Sequence, residues 1–289
     1  MTKRLFKRLG GGPGIALLVG LLNLGQLACL LFLVYVAAFT GTANAQFFSI
    51  HCAPGKLLQA DPLVSPGVFP SAHVHQFYGN QSVDQNSTVQ TMLASTQTSC
   101  TVPADTAGIW IPKPTLQPQY IADYWASVPG HKVQPWPVGL SFIAGDAHAT
   151  APPPENELFW NCGTGQTANW TTPHPCPAGN TAGLRAHLIM ANCWDGTGLN
   201  RSDLSYPVGF PATFKANPPG YPCPAGFSHL LPVVSEVIHF GLINPATLSF
   251  SSGPYYTLHA DYWQTWNDQA KLASLVTTCL NNGTGCGPQ

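Results

Sequence analysis

Short apolar runs, separated by closely spaced Pro, Gly, Asn and Ser, dominate the chain beyond its first 45 residues. Such runs predict short β-strands bounded by turns. Many short strands with turn-rich connections favour a mainly β fold, an antiparallel β-sandwich or jelly-roll-like domain with long loops. The predicted strands are Gly108–Ile111, Leu140–Ile143, Ala186–Met190, Val233–Phe240 and Tyr255–Ala260.

One helical pattern lies near the carboxyl end. Its apolar residues recur at spacings of three and four, which predicts a short C-terminal helix from about residue 267 to residue 279. These residues are Trp266, Ala270, Ala273 and Val276.

Glu236 interrupts the most apolar predicted strand. Strand alternation predicts that its side chain faces solvent. The alternative is a buried carboxyl with a raised pKa, which would mark a candidate functional group.

The first 45 residues have a different character. Four basic residues precede an apolar run over residues 15–39, and small residues follow up to Ala45. This order predicts a secretory signal that is cut after Ala45. The apolar run is also long enough to span a bilayer, so a retained membrane anchor is the alternative. In either case we expect residues 46–289 to form a single extracellular domain.

Charged residues make up only 8% of the chain, against about 25% in a typical soluble domain. The low charge and the 11% aromatic content exclude intrinsic disorder. Without the first 45 residues, seven basic residues stand against 12 acidic ones, a net charge of −5. Nucleic acid is therefore excluded as a partner, whereas a neutral glycan suits this composition.

The cysteine count agrees with export. Of nine cysteines, only Cys29 lies in the predicted signal, and the other eight predict four disulfides. No C-x-x-C motif occurs, which argues against a thiolate zinc site or a redox centre. We predict nearest-neighbour pairing: Cys52–Cys100, Cys162–Cys176, Cys193–Cys223 and Cys279–Cys286.

The densest polar motif is Ser71–Gln76, which contains His73 and His75. In an extended segment these two side chains point to the same face and can ligate one metal ion. The alternative is a hydrogen-bonded pair that orders a loop. Gln76 follows directly and is a candidate substrate contact.

A second motif contains His259, Asp261 and Trp263. His259 and Asp261 share a face in a strand, where they form an oriented base, a pair of metal ligands or an ordinary surface hydrogen bond. Trp263 offers a stacking surface for a sugar, or it packs in the core.

Carboxylates are scarce, and glycoside hydrolysis needs two of them. Asp61 lies in a Pro- and Gly-rich segment, and Asp195 follows Cys193-Trp194. Asp195-Gly196 is also a common turn pair. No G-x-S-x-G motif, P-loop or G-x-G-x-x-G motif occurs, which argues against a serine hydrolase and against nucleotide binding.

Seven stretches in this order resemble the domain of unknown function 1996 family of secreted fungal and bacterial proteins, over about residues 48–282. The resemblance implies a secreted extracellular domain and no established activity. The stretches begin at Asp61, His73, Cys100 (with Asp105 and Trp110), Trp136, Cys193, Cys223 and His259.

The chain departs from the family at one place. After Cys-Trp-Asp-Gly the family often shows two histidines around Arg-Ser, where this chain has Asn200 and Asp203. If that pair serves catalysis or metal binding in relatives, this chain has lost or altered that role.

The leading hypothesis is a secreted domain that acts on polysaccharide or cell-wall glycan, with a hydrolase-like cleft and no assigned metal or cofactor. Gln76, Trp110 and Trp263 are its substrate-binding candidates. One alternative is a non-catalytic glycan-binding module. Another is a metal-dependent protein that uses His73 and His75 with His259 or His229. The candidate catalytic residues are Asp61, His73, His75, Asp195, His229, His259 and Asp261.

Overall fold

The computed structural model describes residues 46–153, 157–163, 169–206, 223–283 and 286–289. The predicted signal or anchor over residues 1–45 lies outside these described residues. Within the described part of the chain, no helix is long and apolar enough to cross a membrane.

The fold is mainly β, as predicted. The helices are α1 (Val89–Leu93) and α2 (Gln269–Leu275), and a π-helical segment, Val276–Asn281, continues α2. The strands are β1 (Phe47–Cys52), β2 (Leu57–Leu58), β3 (His75–Gly79), β4 (Gly108–Pro112), β5 (Tyr120–Ala126), β6 (Ser141–Gly145), β7 (Leu158–Asn161), β8 (Leu184–Ile189), β9 (Cys193–Trp194), β10 (Leu204–Ser205), β11 (His229–Leu230), β12 (Val233–Gly241), β13 (Ser249–Phe250), β14 (Gly253–Pro254), β15 (His259–Trp263) and β16 (Gly287–Pro288).

Two sheets carry most of these strands. One has six strands in the order β16-β1-β5-β12-β8-β7, and the other has five in the order β2-β3-β4-β15-β6. Among the described residues, every strand pairing except β1 with β16 is antiparallel. Smaller sheets join β10, β9 and β11, and β13 with β14. The finer jelly-roll assignment stays a prediction.

Side chains from both large sheets meet in one hydrophobic core. Trp125 of β5 contacts Tyr262 of β15 edge to face, with ring centroids 6.2 Å apart. Ile238 of β12 and Phe142 of β6 belong to the same cluster. This shared core is what a β-sandwich requires, because each sheet buries one face against the other.

Alternation along β15 separates the core from the opposite face of its sheet. Ala260 and Tyr262 belong to the shared core, whereas His259, Asp261 and Trp263 alternate with them along the strand and point away from it. A second, smaller hydrophobic cluster covers part of this outer face. It consists of Phe77, Val83, Met92, Trp110 and Trp263.

All four predicted disulfides are confirmed: Cys52–Cys100, Cys162–Cys176, Cys193–Cys223 and Cys279–Cys286. The last closes the carboxyl end onto the π-helical segment, next to the predicted C-terminal helix. The closed loops restrict the unfolded chain, which stabilises a fold with many long connections.

The predicted strands correspond to β4, β6, β8, β12 and β15, with one difference at the last of them. Tyr255–Thr257 forms a 3₁₀ turn, and the strand begins only at His259. The Thr257 hydroxyl donates a hydrogen bond to the Pro254 carbonyl at 2.8 Å and closes this turn.

The prediction that Glu236 faces solvent is wrong. Its side chain is fully buried and points into the core, where Asp123 lies directly opposite on the neighbouring strand β5. The other face of β12 carries Ser235, Val237 and His239. Because both faces of β12 are buried in this sheet, the polarity of its residues does not indicate which face is inside.

Candidate functional site

A cleft of about 420 Å³ opens on the outer face of the five-stranded sheet, beside the second hydrophobic cluster. Five of the seven predicted catalytic residues line it. These five are Asp61, His73, His75, His259 and Asp261.

Two strands of the sheet position three of these side chains. His75 begins β3, and His259 begins β15, with β4 lying between the two strands. Asp261 follows His259 on the same face, in one row with Phe77, Trp110 and Ile143 of the neighbouring strands. The aromatic neighbours in that row keep water from the Asp261 carboxyl.

The loop before β3 brings Asp61 and His73 to the cleft. The backbone N–H of Ser71 donates to the Gln59 carbonyl at 2.8 Å, and the Gln59 side chain donates back to the Ser71 carbonyl at 2.8 Å. The Ser71 hydroxyl donates to the His73 carbonyl at 3.0 Å. Asp61 Oδ1 accepts the backbone N–H groups of Leu63 and Val64 at 3.2 and 3.0 Å. The loop is therefore held at both ends.

The three histidines converge. The ring centroids of His73 and His75 lie 4.4 Å apart, those of His73 and His259 5.1 Å apart, and those of His75 and His259 5.8 Å apart. One nitrogen from each ring lies within 4.8 Å of the other two. Nε2 of His73 and Nε2 of His259 lie 3.3 Å apart, within hydrogen-bond distance.

Backbone carbonyls determine the tautomers of two of these rings. Nδ1 of His75 lies 2.9 Å from the Ala60 carbonyl, and Nδ1 of His259 lies 3.0 Å from the Thr257 carbonyl. A carbonyl only accepts, so each Nδ1 carries the proton and each Nε2 keeps its lone pair. Nε2 of His75 is buried without a hydrogen-bond partner in the described structure. Protein ligands of metal ions are oriented by the same carbonyl contact.

Burial keeps the three rings uncharged. It lowers the pKa of His75 to about 3 and that of His259 to about 4, and it also lowers the pKa of His73. For His75, the charges of the other two rings lower the pKa further. Neutral imidazole is the form that binds a metal ion, so the site is ready for one at neutral pH.

The two carboxyls of the cleft have raised pKa values. Burial raises the pKa of Asp261 well above its usual range, and neither of its oxygens has a hydrogen-bond partner in the described structure. Its Oδ2 lies 3.9 Å from Nε2 of His259. Burial also raises the pKa of Asp61, although backbone N–H groups and the nearby Trp110 indole oppose the effect. That indole N–H does not reach hydrogen-bond geometry.

Two predicted catalytic residues lie outside the cleft. Asp195 accepts the backbone N–H groups of Thr197 and Gly198 at 2.8 and 2.9 Å, and these bonds lower its pKa. His229 is exposed and packs beside Trp194, with ring centroids 5.4 Å apart. Asp195 therefore serves the turn that its sequence also predicted, and its position does not suit catalysis in the cleft.

The three predicted substrate-binding residues are interior. The Gln76 amide donates hydrogen bonds to backbone carbonyls, including that of Gly55 at 2.9 Å. Trp110 is fully buried, and the Trp263 indole donates to the Gly139 carbonyl at 3.1 Å. These contacts contradict a role in stacking against a sugar, because neither indole presents an open face.

Sequence reasoning missed three residues that line the cleft, Asp146, His148 and Arg201. Asp146 and His148 have the same spacing as His259 and Asp261, which is the signal that could have identified them. Arg201 belongs to the segment that departs from the family. There Asn200 and Asp203 bond to each other, with the Asn200 N–H donating to Asp203 Oδ2 at 2.9 Å.

Comparison with known proteins agrees with the sequence resemblance. A family model described as "Domain of unknown function (DUF1996)" matches residues 61–266. No curated protein and no solved structure matches the chain.

Proposed function

Because the chain belongs to the DUF1996 family, whose description names no activity, we propose a function from the cleft. The protein is an extracellular metal-dependent enzyme. His73, His75 and His259 bind one divalent transition-metal ion, and the substrate is a polysaccharide that enters the cleft. The metal-dependent alternative of the sequence analysis thus replaces the metal-free hydrolase as the leading hypothesis.

The convergence of three neutral imidazoles carries this proposal. Their nitrogens lie within 4.8 Å of one another, as ligands of a single ion require. Nε2 of His75 is buried without a partner in the described structure, and such an orphaned acceptor costs free energy that a bound cation would recover. Three imidazole ligands suit zinc or copper and leave a coordination position for water or substrate.

The carboxyls beside the histidines supply proton transfer. Asp261 Oδ2 lies 3.9 Å from Nε2 of His259, so a metal ion held by the three histidines would lie beside this carboxyl, and Asp61 lines the same cleft. Raised pKa values bring carboxyls closer to the operating pH of a general acid or base. A metal-independent hydrolase that uses Asp61 and Asp261 as its carboxyl pair is the second candidate, because both line one cleft.

Several features support an extracellular glycan as the substrate. The four disulfides are consistent with an oxidising compartment. The loop that carries Asp61 exposes Phe69 and Val68, with 58% and 51% of their surfaces open to solvent. An exposed aromatic ring on the loop beside a polar cleft suits a sugar, and Phe69 takes over the role that Trp110 and Trp263 cannot fill.

Metal binding is tested first. Titration of the metal-free protein with Zn²⁺ and Cu²⁺ in a calorimeter should show one tight site per chain. His75→Ala and His259→Ala should each weaken it by about 100-fold or more, the upper range for lost metal-site contacts. His131→Ala is the matched control, because His131 is exposed and does not line the cleft. Equal binding by all four proteins would refute the metal centre.

Activity is tested second, on a panel of polysaccharides with and without a chelator. Release of reducing ends that the chelator abolishes and added metal restores supports the proposal. Release that the chelator does not affect, but that Asp61→Asn or Asp261→Asn abolishes, identifies the metal-independent pair instead.

A further inference from the structure

A second group of polar side chains lies on the outer face of the six-stranded sheet. Asn161, Arg185, His239 and Tyr120 are paired in one row across β7, β8, β12 and β5. His51 of β1 joins the row through ring contacts. This face points away from the shared core, as the cleft does from the other sheet, so the two groups lie on opposite sides of the sandwich.

Arg185 is the only charged residue in this row. In the described part of the chain, its guanidinium forms no hydrogen bond and no ion pair with a carboxylate. Its Nε atom is buried. An unpaired, partly buried positive charge costs free energy. The planar guanidinium normally offsets this cost by donating two parallel hydrogen bonds to an oxyanion.

Neutral rings surround the guanidinium. Tyr120 stacks on His51 with a centroid distance of 4.7 Å and on His239 with a centroid distance of 4.1 Å. Burial lowers the pKa of His239 to about 3, and the charge of Arg185 lowers it further. The pKa values of His51 and His187 are lowered by the same two causes. The rings therefore add no second charge that could repel Arg185.

His239 provides a second orphaned group beside Arg185. Its Nε2 is buried without a hydrogen-bond partner in the described structure, and only 2% of the residue is exposed to solvent. His187 is different, because its Nε2 bonds to the Asn161 side chain at 3.2 Å. Arg185 and His239 are paired on neighbouring strands, so Nε of Arg185 and Nε2 of His239, when the latter carries its proton, are two buried donors that one acceptor can satisfy.

We propose that Arg185 and His239 form an oxyanion-binding site, with Tyr120 and His51 as its wall. Its ligand is a carboxylate, phosphate or sulfate group, which accepts from the guanidinium and from the His239 ring. The net charge of the domain disfavours anionic partners, but Arg185 places a positive charge on this face, and no carboxylate of the described residues forms an ion pair with it. A uronic acid of a glycan and free inorganic phosphate are the two sources of this chemistry.

The test is titration of the protein with galacturonate, inorganic phosphate and neutral galactose. The ring resonances of His51 and His239 are followed by nuclear magnetic resonance, and affinities are measured by calorimetry. Galacturonate or phosphate should shift both rings, and galactose should not. The anion that binds more tightly identifies the source. If neither anion shifts the ring resonances of His51 and His239, the proposed site is refuted.

Substitutions then place the anion. Arg185→Gln should weaken binding at least 10-fold, and Arg185→Lys should weaken it less, because the lysine keeps the charge but loses the paired donors. Arg201→Gln, on the opposite side of the sandwich, should bind as the wild type does. Anion binding that is lost in Arg201→Gln and kept in Arg185→Gln would place the anion in the cleft and refute the proposal. Metal affinity of the cleft histidines is measured on the same proteins, so failure of one site is distinguished from failure of the other.

Discussion

The cleft and the centre of the core both hold buried ionisable groups with shifted pKa values, yet they differ in access. In the cleft, His75, His259 and Asp261 line a cavity that opens to solvent. In the core, Asp105, Asp123 and Glu236 are fully buried between the two sheets. Both groups include polar atoms without hydrogen-bond partners in the described structure.

The two groups also differ in how their atoms converge. The three histidines bring their ligand atoms within 4.8 Å of one another, whereas the three core acids form no such group among the described residues. Burial raises the pKa values of Asp105 and Asp123 well above their usual range, and that of Glu236 to about 7. Asp123 and Glu236 are paired across neighbouring strands, and protonation of either carboxyl removes the repulsion between two negative charges.

A perturbed pKa alone therefore does not locate a functional site in this protein. Burial shifts the pKa values of the core acids as well as those of the cleft residues, but none of the three core acids lines the cleft. Access and convergence distinguish the cleft, and these are properties of the assembled fold.

The largest expected effect is a loss of folding stability, which should follow substitution of an interior residue and not of an exposed residue beside the cleft. Trp110→Ala should destabilise the fold by about 3–5 kcal/mol, because it removes a fully buried indole from the second hydrophobic cluster. Phe69→Ala, at an exposed ring, should change stability by less than about 0.5 kcal/mol. Urea unfolding measures both. If Trp110→Ala is as stable as the wild type but no longer binds substrate, Trp110 is a substrate-binding residue and not a core residue.

The core acids should make the fold sensitive to rising pH. Their folded-state pKa values are raised, so their contribution is fully present below the unfolded-state pKa and is lost as the pH rises through the folded-state pKa. For Glu236, with a pKa raised from 4.5 to about 7, the loss is about 3 kcal/mol at 1.36 kcal/mol per unit. Relative to wild type, Glu236→Gln should therefore gain about this much stability between pH 5 and pH 8.

Urea unfolding at several pH values checks this difference. Subtracting the two proteins cancels the histidines, whose lowered pKa values remove stability at the acid end of the range. Glu157→Gln is the matched control, because Glu157 is only partly buried, whereas Glu236 is fully buried. Parallel stability curves for wild type and Glu236→Gln would show that Glu236 is not protonated in the fold.

Metal should stabilise the fold only through the cleft. At a free Zn²⁺ concentration 100 times the dissociation constant, binding to the folded state adds about 2.7 kcal/mol. Glu236→Gln should keep this gain, and His259→Ala should lose it. Thermal unfolding with and without Zn²⁺ measures the gain as a rise in Tm. If His259→Ala keeps the Zn²⁺-dependent rise in Tm and Glu236→Gln loses it, the metal ion binds at the core acids and not in the cleft.

The smallest effect concerns Asp195. Asp195→Ala should lower Tm slightly, because two backbone N–H groups of its turn lose their acceptor. Metal affinity and activity should not change, since Asp195 does not line the cleft. A loss of activity at unchanged Tm would return Asp195 to the candidate catalytic residues.

Much of the fold follows from local sequence. The apolar runs predict five strands, the spacing of three and four predicts α2, and an even count of exported cysteines predicts the four disulfides. Part of the site is local as well, because His259 and Asp261 are two positions apart in β15 and therefore lie on the same face of that strand. Glu236 shows the limit of this rule, since alternation indicates two faces but not which of them is buried.

The sequence by itself determined the mainly β class, the number of disulfides, the family and the H-x-H and H-x-D motifs. Only the tertiary structure showed that His259, and not His229, lies beside His73 and His75, because β4 separates β3 from β15 and more than 180 positions lie between the motifs. It also showed that Asp195 and His229 lie outside the cleft and that Arg185 has no partner among the described residues. Each of these outcomes depends on which strands become neighbours, and strand pairing is decided by packing across the whole chain.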